Sequence, residues 1–182
     1  YAVQLQKQGA PLVIACPAGV IGAGDHSGLG YLARMYVRGR LPPILWAANG
    51  CRAHVHVEDL AEAIVRCIEH GGNGETYILS NGIMQHRDMF DLWKQTPGGF
   101  KTTLWIPNSL AMLFNRVAEP VERFLDLPII FCHEFALGAF ARWQFSAAKA
   151  ERELGMNFRS VEQAWLDTLE AERAIAQQEK RR

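Results

Sequence analysis

Residues 52–57 alternate between polar and apolar: Arg52, His54 and His56 against Ala53, Val55 and Val57. Period two predicts a strand with two unlike faces. From Val57 the period changes. Val57, Leu60, Ala61, Ile64, Val65 and Ile68 recur at helical spacing. The pattern therefore predicts a strand that runs into a helix with no turn between them. Glu58 and Asp59 fall in the first helical turn, where the macrodipole favours anions. Arg52 and His54 are held near an element end, where polar side chains often face a ligand.

The same reading extends along the chain. Tyr1 to Gln8 is the end of a helix, closed by Gly9. Pro11 to Cys16 is a short apolar run, typical of a strand covered on both faces. Pro17 ends it, and a Gly-rich loop spans Gly19 to Gly24. Ser27 to Gly39 is a helix with Leu29, Leu32, Ala33 and Tyr36 on one face. Ile44 to Ala47 is a short strand, followed by an Asn49-Gly50 turn signal. Thr76 to Leu79 is another buried strand. Asp88 to Lys94 is a helix whose inner face is Met89, Phe90 and Trp93. Thr102 to Ile106 is a strand.

The rest is mainly helical. Asn108 to Leu125 carries Leu110, Leu113, Phe114, Val117, Val121 and Phe124 at helical spacing, and Pro120 should kink or split it. Cys132 to Trp143 and Ser146 to Leu154 read as helices. Ser160 and Gln163 form a capping box for the last one, with Val161, Ala164, Trp165, Thr168 and Leu169 as its face. The pattern fades after Ala176, and residues 177–182 read as a disordered tail. Strands alternating with helices give an α/β class. Residues 1–80 supply sheet strands and helices, and 81–176 a mostly helical lobe.

The 182 residues suffice for one domain with a sizeable core. The formal net charge is zero, which argues against nucleic acid as a main partner. No apolar run approaches the length of a membrane span. Cys16, Cys51, Cys67 and Cys132 form no C-x-x-C pair, which suits a reducing compartment. Cys16 and Cys67 read as small core residues. The start has no initiating methionine and no signal-peptide layout, so the chain reads as a piece of a longer one.

Three short motifs carry chemistry in other proteins. Gly28-Leu29-Gly30-Tyr31-Leu32-Ala33 matches G-x-G-x-x-A, but a loop separates it from the preceding strand, so helix-start packing is the better reading. His54 and His56 share a strand face, with no cysteine or placed carboxylate to complete a metal site. Asp25-His26-Ser27 holds the letters of a hydrolase triad, yet adjacent residues cannot form that geometry.

Four segments together resemble the extended short-chain dehydrogenases/reductases, the NAD-dependent epimerase/dehydratase group. Arg52 to Ala63 resembles their R-x-x-h-V-x-D-x-A-x-A segment, with one more residue between the arginine and the aspartate. Pro17 to Asp25 resembles P-x-x-V-x-G-P-G-D, with Ala23 in place of the usual proline. Gly74 to Leu79 resembles G-E-x-Y-x-h, and Ser146 to Gly155 resembles S-x-x-K-A-x-x-E-L-G. The dihydroflavonol-reductase-like and hydroxysteroid-dehydrogenase-like branches look most similar.

The resemblance implies the C-terminal part of a Rossmann-type NAD(P)-binding fold with a mostly helical substrate-capping lobe. The implied cofactor is NAD or NADP, with its phosphate-binding glycines upstream of Tyr1. The family's reaction needs a Tyr and a Lys four residues apart on one helix, so that the cation lowers the phenol pKa. Only Tyr36-Arg40 has a cation at that spacing, and it reads as a surface pair, so no catalytic acid or base is assigned within this chain. By resemblance, Pro17 and Val20 border the nicotinamide. On the substrate side the candidates are His26 and Arg52, the latter matching an arginine that holds phosphate in nucleotide-sugar members. The implied partners are a small-molecule substrate and a missing N-terminal half of the same fold, with room for a homodimer and a cytoplasmic setting. A non-catalytic dinucleotide sensor and a structural or protein-binding domain stand as alternatives.

Overall fold

The computed structural model describes residues 1–122 and 138–181. The elements run α1 (Ala2–Lys7), β1 (Ile14–Pro17), β2 (Gly19–Ile21), α2 (Gly28–Val37), β3 (Ile44–Leu45), β4 (Cys51–His56) and α3 (Val57–His70). They continue with β5 (Thr76–Leu79), β6 (Gly82–Gln85), α4 (His86–Lys94), β7 (Leu104–Trp105), α5 (Asn108–Glu122), α6 (Ala148–Leu154) and α7 (Val161–Glu179). The class is α/β, as the alternation of periods predicts.

The strands form three small sheets. β1 pairs in parallel with β5, and β3 in parallel with β7. β4 is the centre of the third, parallel to β2 and antiparallel to β6. Gly82 to Gln85 is too short to show alternation in the sequence. Its pairing with Cys51 to His54 makes it a strand.

Two apolar clusters hold these pieces together. In the first, Trp165 of α7 and Tyr36 of α2 both meet Trp93 of α4, with ring centroids 5.1 and 5.4 Å apart. The Tyr36 hydroxyl donates to the Trp93 carbonyl at 2.6 Å. Tyr36 is therefore core, not half of a surface pair with Arg40. The second cluster joins Ala63 and Cys67 of α3, Tyr77 and Leu79 of β5, and Ala150 and Leu154 of α6. Gly155 closes α6 in the left-handed region at φ 63°, a conformation that favours glycine.

Several expectations change. β4 is not two-faced: Ala53, His54, Val55 and His56 are all buried, with α7 and α3 both in contact with the strand. α3 turns the other way from its predicted face. Asp59, Ala63 and Cys67 point inward, while Val57, Ile64, Val65 and Ile68 are exposed. β1 is half covered, and Cys16 and Pro17 are exposed, because β1 has β5 on one edge and no described strand on the other.

On α5 the backbone stays helical through Pro120, and Leu110, Leu113 and Phe114 are exposed. The other predicted face residues of α5, and Cys132, lie outside the described side chains. Arg142 bridges Cys51 of β4 and Trp143 donates to the Cys51 carbonyl, so the expected helix does not reach Trp143. α7 runs to Glu179, which pairs with Arg38 at 2.6 Å.

Candidate functional site

Two regions matter: the strand ends at Pro17 to Val20, and a cavity beside Arg52. Pro17 is the last residue of β1, and the Ala18 N–H donates to the Leu79 carbonyl at 2.9 Å. Val20 sits on β2, whose one sheet neighbour is β4. Both side chains are exposed. The site thus lies at the carboxyl end of a parallel strand, where ligands of open α/β sheets bind.

The loop beyond is tightly held. Gly22 has φ 154°, and a Cβ there would stand 2.6 Å from Val57 Cγ1. The Gly24 N–H donates to Glu172 Oε1 at 2.8 Å. Glu172 is buried on α7 and also faces Arg34 at 3.7 Å. Ser27 caps α2 by accepting from the Gly30 N–H. Asp25 accepts from the Ser27 N–H and hydroxyl, both at 2.7 Å. A Cβ on Gly30 would lie 2.1 Å from the Asp25 carbonyl, so the second glycine of G-x-G-x-x-A serves close packing. His26 is exposed between these residues.

The cavity has a volume of about 210 Å³ and lies among α2, β3, β4 and α4. Among the described residues that line it, Arg52 and His86 are the strongly polar ones. Burial lowers the pKa of Arg52. His86 Nδ1 lies 3.1 Å from the Ala47 carbonyl. A carbonyl only accepts, so Nδ1 carries the proton and Nε2 is left as an acceptor. Burial first, then Arg52, pushes the His86 pKa down to about 4. The ring is neutral at pH 7.

His54 and His56 serve packing and capping. His54 packs edge-on against Trp165 at 5.2 Å, and burial pushes its pKa down to about 3. His56 Nδ1 accepts from the Glu58 N–H and caps α3. Among the described residues no cluster of three metal ligands occurs. The Lys149 ammonium sits over the Tyr77 ring at 4.8 Å, while the Tyr77 hydroxyl accepts from Gly72, so this Tyr and Lys meet through the ring face and not the phenol.

Of the candidates, Arg52 lines the cavity, and Pro17, Val20 and His26 do not. His86 is the wall residue that the sequence pattern missed. Its role depends on Ala47, whose φ of 56° turns its carbonyl through the Asn49-Gly50 turn to meet the ring. The Asn49-Gly50 signal was the only hint.

Known structures place this fold. No protein-family model matches the chain, and no curated protein sequence matches it. Among solved structures, gox2253 is 24% identical at a TM-score of 0.71, covering 96% of this chain and 53% of that one. A nucleoside-diphosphate-sugar epimerase from Pseudomonas aeruginosa is 18% identical at a TM-score of 0.68, covering 96% and 52%. A dTDP-glucose 4,6-dehydratase from Bacillus anthracis, solved with NAD, is 16% identical at 0.63, covering 93% and 47%. The chain spans about half the length of each. Its fold is that of the C-terminal portion of Rossmann-type NAD-dependent epimerases and dehydratases.

Proposed function

We propose that this chain is the C-terminal portion of an NAD(P)-dependent oxidoreductase or epimerase/dehydratase that acts on a hydroxyl- or carbonyl-bearing small molecule. The observation that carries this reading is the unfinished sheet. β1 and β5 form a parallel pair whose β1 edge has no described neighbour, and the outer face of α3 beside it is apolar. An exposed parallel edge next to an exposed apolar helix face calls for more strands and a covering layer. The upstream half of a Rossmann-type fold supplies both.

In that setting Pro17, at the carboxyl end of β1, and Val20, on the β2 strand that follows it, fit the border of a nicotinamide. Pro17 donates no N–H, and β2 has an edge with no strand neighbour among the described residues, which suits a carboxamide. The cofactor, when bound, accepts or delivers hydride. This chain's own residues shape one wall of its site, hold the Gly22–Gly24 loop through Glu172, and place Arg52 at the substrate.

The test is a titration of NADH and NADPH into the complete chain, with and without this portion's Val20→Trp substitution. Binding that the tryptophan weakens, together with hydride transfer, supports the reading. Binding without turnover favours the sensor. No binding of either dinucleotide overturns it.

A further inference from the structure

The cavity beside Arg52 is walled by Leu29, Leu32, Met35, Leu45, Met89 and Phe90. Building on the proposed oxidoreductase reading, we propose that it takes an apolar ring or short hydrocarbon chain bearing one carboxylate, with the carboxylate on Arg52, and that it does not take a nucleoside diphosphate.

Size sets the first limit. A cavity of about 150 Å³ lined by aliphatic and aromatic side chains holds benzene. At about 210 Å³ this one has room for a ring and a short tail. The apolar walls favour such a body and leave hydroxyls of a ribose or hexose unpaired.

Charge sets the second. Among the described residues Arg52 makes no ion pair, although it is half-buried. A half-buried guanidinium without a counter-ion is costly, and an entering carboxylate removes that cost with two parallel hydrogen bonds. His86 adds no second cation, because burial and Arg52 keep its ring neutral at pH 7. Its Nδ1 is taken by Ala47. Among the described lining residues one guanidinium therefore balances one negative charge. A diphosphate brings at least two, and the second would be left unpaired against an apolar wall.

Calorimetry on the complete chain tests this with 4-phenylbutyrate, its uncharged amide and uridine diphosphate. The acid should bind about tenfold or more tightly than the amide. Arg52→Met should erase that preference, and Leu32→Trp, which fills the cavity, should abolish binding of both. Should Leu32→Trp fail to fold, quenching of Trp46 on the cavity wall by 4-phenylbutyrate in the unsubstituted chain reports occupancy instead. Tighter binding of uridine diphosphate, equal binding of acid and amide, or no binding of the acid overturns the proposal. NADH titrated into the same sample keeps the two readings apart. Cofactor binding with no 4-phenylbutyrate binding sinks the cavity assignment alone.

Discussion

The Arg159 Nε–H donates to Asp59 Oδ1 at 2.9 Å, joining residues 100 positions apart. Asp59 lies in the first turn of α3 and Arg159 just before α7. Asp59 also accepts from the Asn81 side chain. Asn81 in turn accepts from the His56 N–H at 2.6 Å and donates to the Arg159 carbonyl at 2.9 Å. The guanidinium reaches Glu58 and Asp167 as well, at 2.9 and 2.7 Å. One carboxylate thus ties α3, the β5–β6 connection and α7 together.

Asp59→Ala should therefore be among the most damaging single changes. It leaves a partly buried guanidinium and amide short of an acceptor, a loss of about 3 kcal/mol. Arg159→Lys keeps the charge and loses the fork, so it should cost less. Urea unfolding of both variants checks this. A cost below about 1 kcal/mol for Asp59→Ala would remove the clamp from the account.

The buried histidines make stability fall in mild acid. His54 has its pKa lowered from 6.5 to about 3, and His86 from 6.5 to about 4. Above pH 6.5 both rings are neutral whether the chain is folded or unfolded, and stability is full. As pH falls below 6.5, the unfolded chain takes up protons that the folded chain refuses. Stability then drops, by at most about 1.4 kcal/mol per pH unit for each ring, until the folded pKa is reached. His54→Phe should cut that slope by less than half between pH 6 and 5, because His86 and His56, whose pKa burial also lowers, keep their shares. It sacrifices no hydrogen bond, since neither His54 nitrogen has a partner among the described residues. Unfolding free energies at pH 7, 6 and 5 give the comparison, and an unchanged slope would show that His54 is not the acid-sensitive group.

The outer face of α3 should behave as a buried surface laid bare. Ile68 is 80% exposed and Val65 51%, beside Ile64 and Val57. Exposed apolar patches of this kind bind dyes and promote association. Ile68→Lys in the 182-residue chain should lower anilinonaphthalene sulfonate fluorescence and light scattering, with stability changed by less than about 0.5 kcal/mol. On the proposed reading an upstream half covers this face, so in the complete protein the same change should destabilise. A loss of stability in the 182-residue chain itself would mean that Ile68 already packs there.

The strand-to-helix junction at His56 was legible because period two changes to period 3.6 within one residue. The direction in which α3 faces was not. The helix carries apolar residues on two sides, and spacing alone does not tell which is covered by β5 and α6. Asp59 read as a dipole-stabilising anion, since the residues that make it a clamp lie at positions 81 and 159. Likewise Arg52 stood out by its place on a strand, whereas His86 required the turn at Ala47 to bring a carbonyl to its ring. The Tyr36 phenol shows the same limit. Its spacing to Arg40 suggested a pair, and a carbonyl 57 residues away takes the hydroxyl instead.

Glu172 offers the sharpest link between packing and function. It is 2% exposed on α7, accepts from the Gly24 N–H, and faces Arg34. Arg34 in turn donates to the Asp25 carbonyl. A buried carboxylate with one backbone donor and one guanidinium pins the loop between β2 and α2, next to Val20. Glu172→Ala should cost about 2 to 3 kcal/mol, because it strands a backbone N–H and an arginine. Glu172→Gln keeps an acceptor for Gly24 and should recover part of that. On the proposed oxidoreductase reading, the loosened loop should weaken nicotinamide binding in the complete protein although Glu172 itself does not line that position. The expected signature is a KM for the dinucleotide raised several-fold in Glu172→Ala and less in Glu172→Gln, with kcat changed little. An unaltered KM in a folded Glu172→Ala enzyme would show that the loop holds its shape without α7.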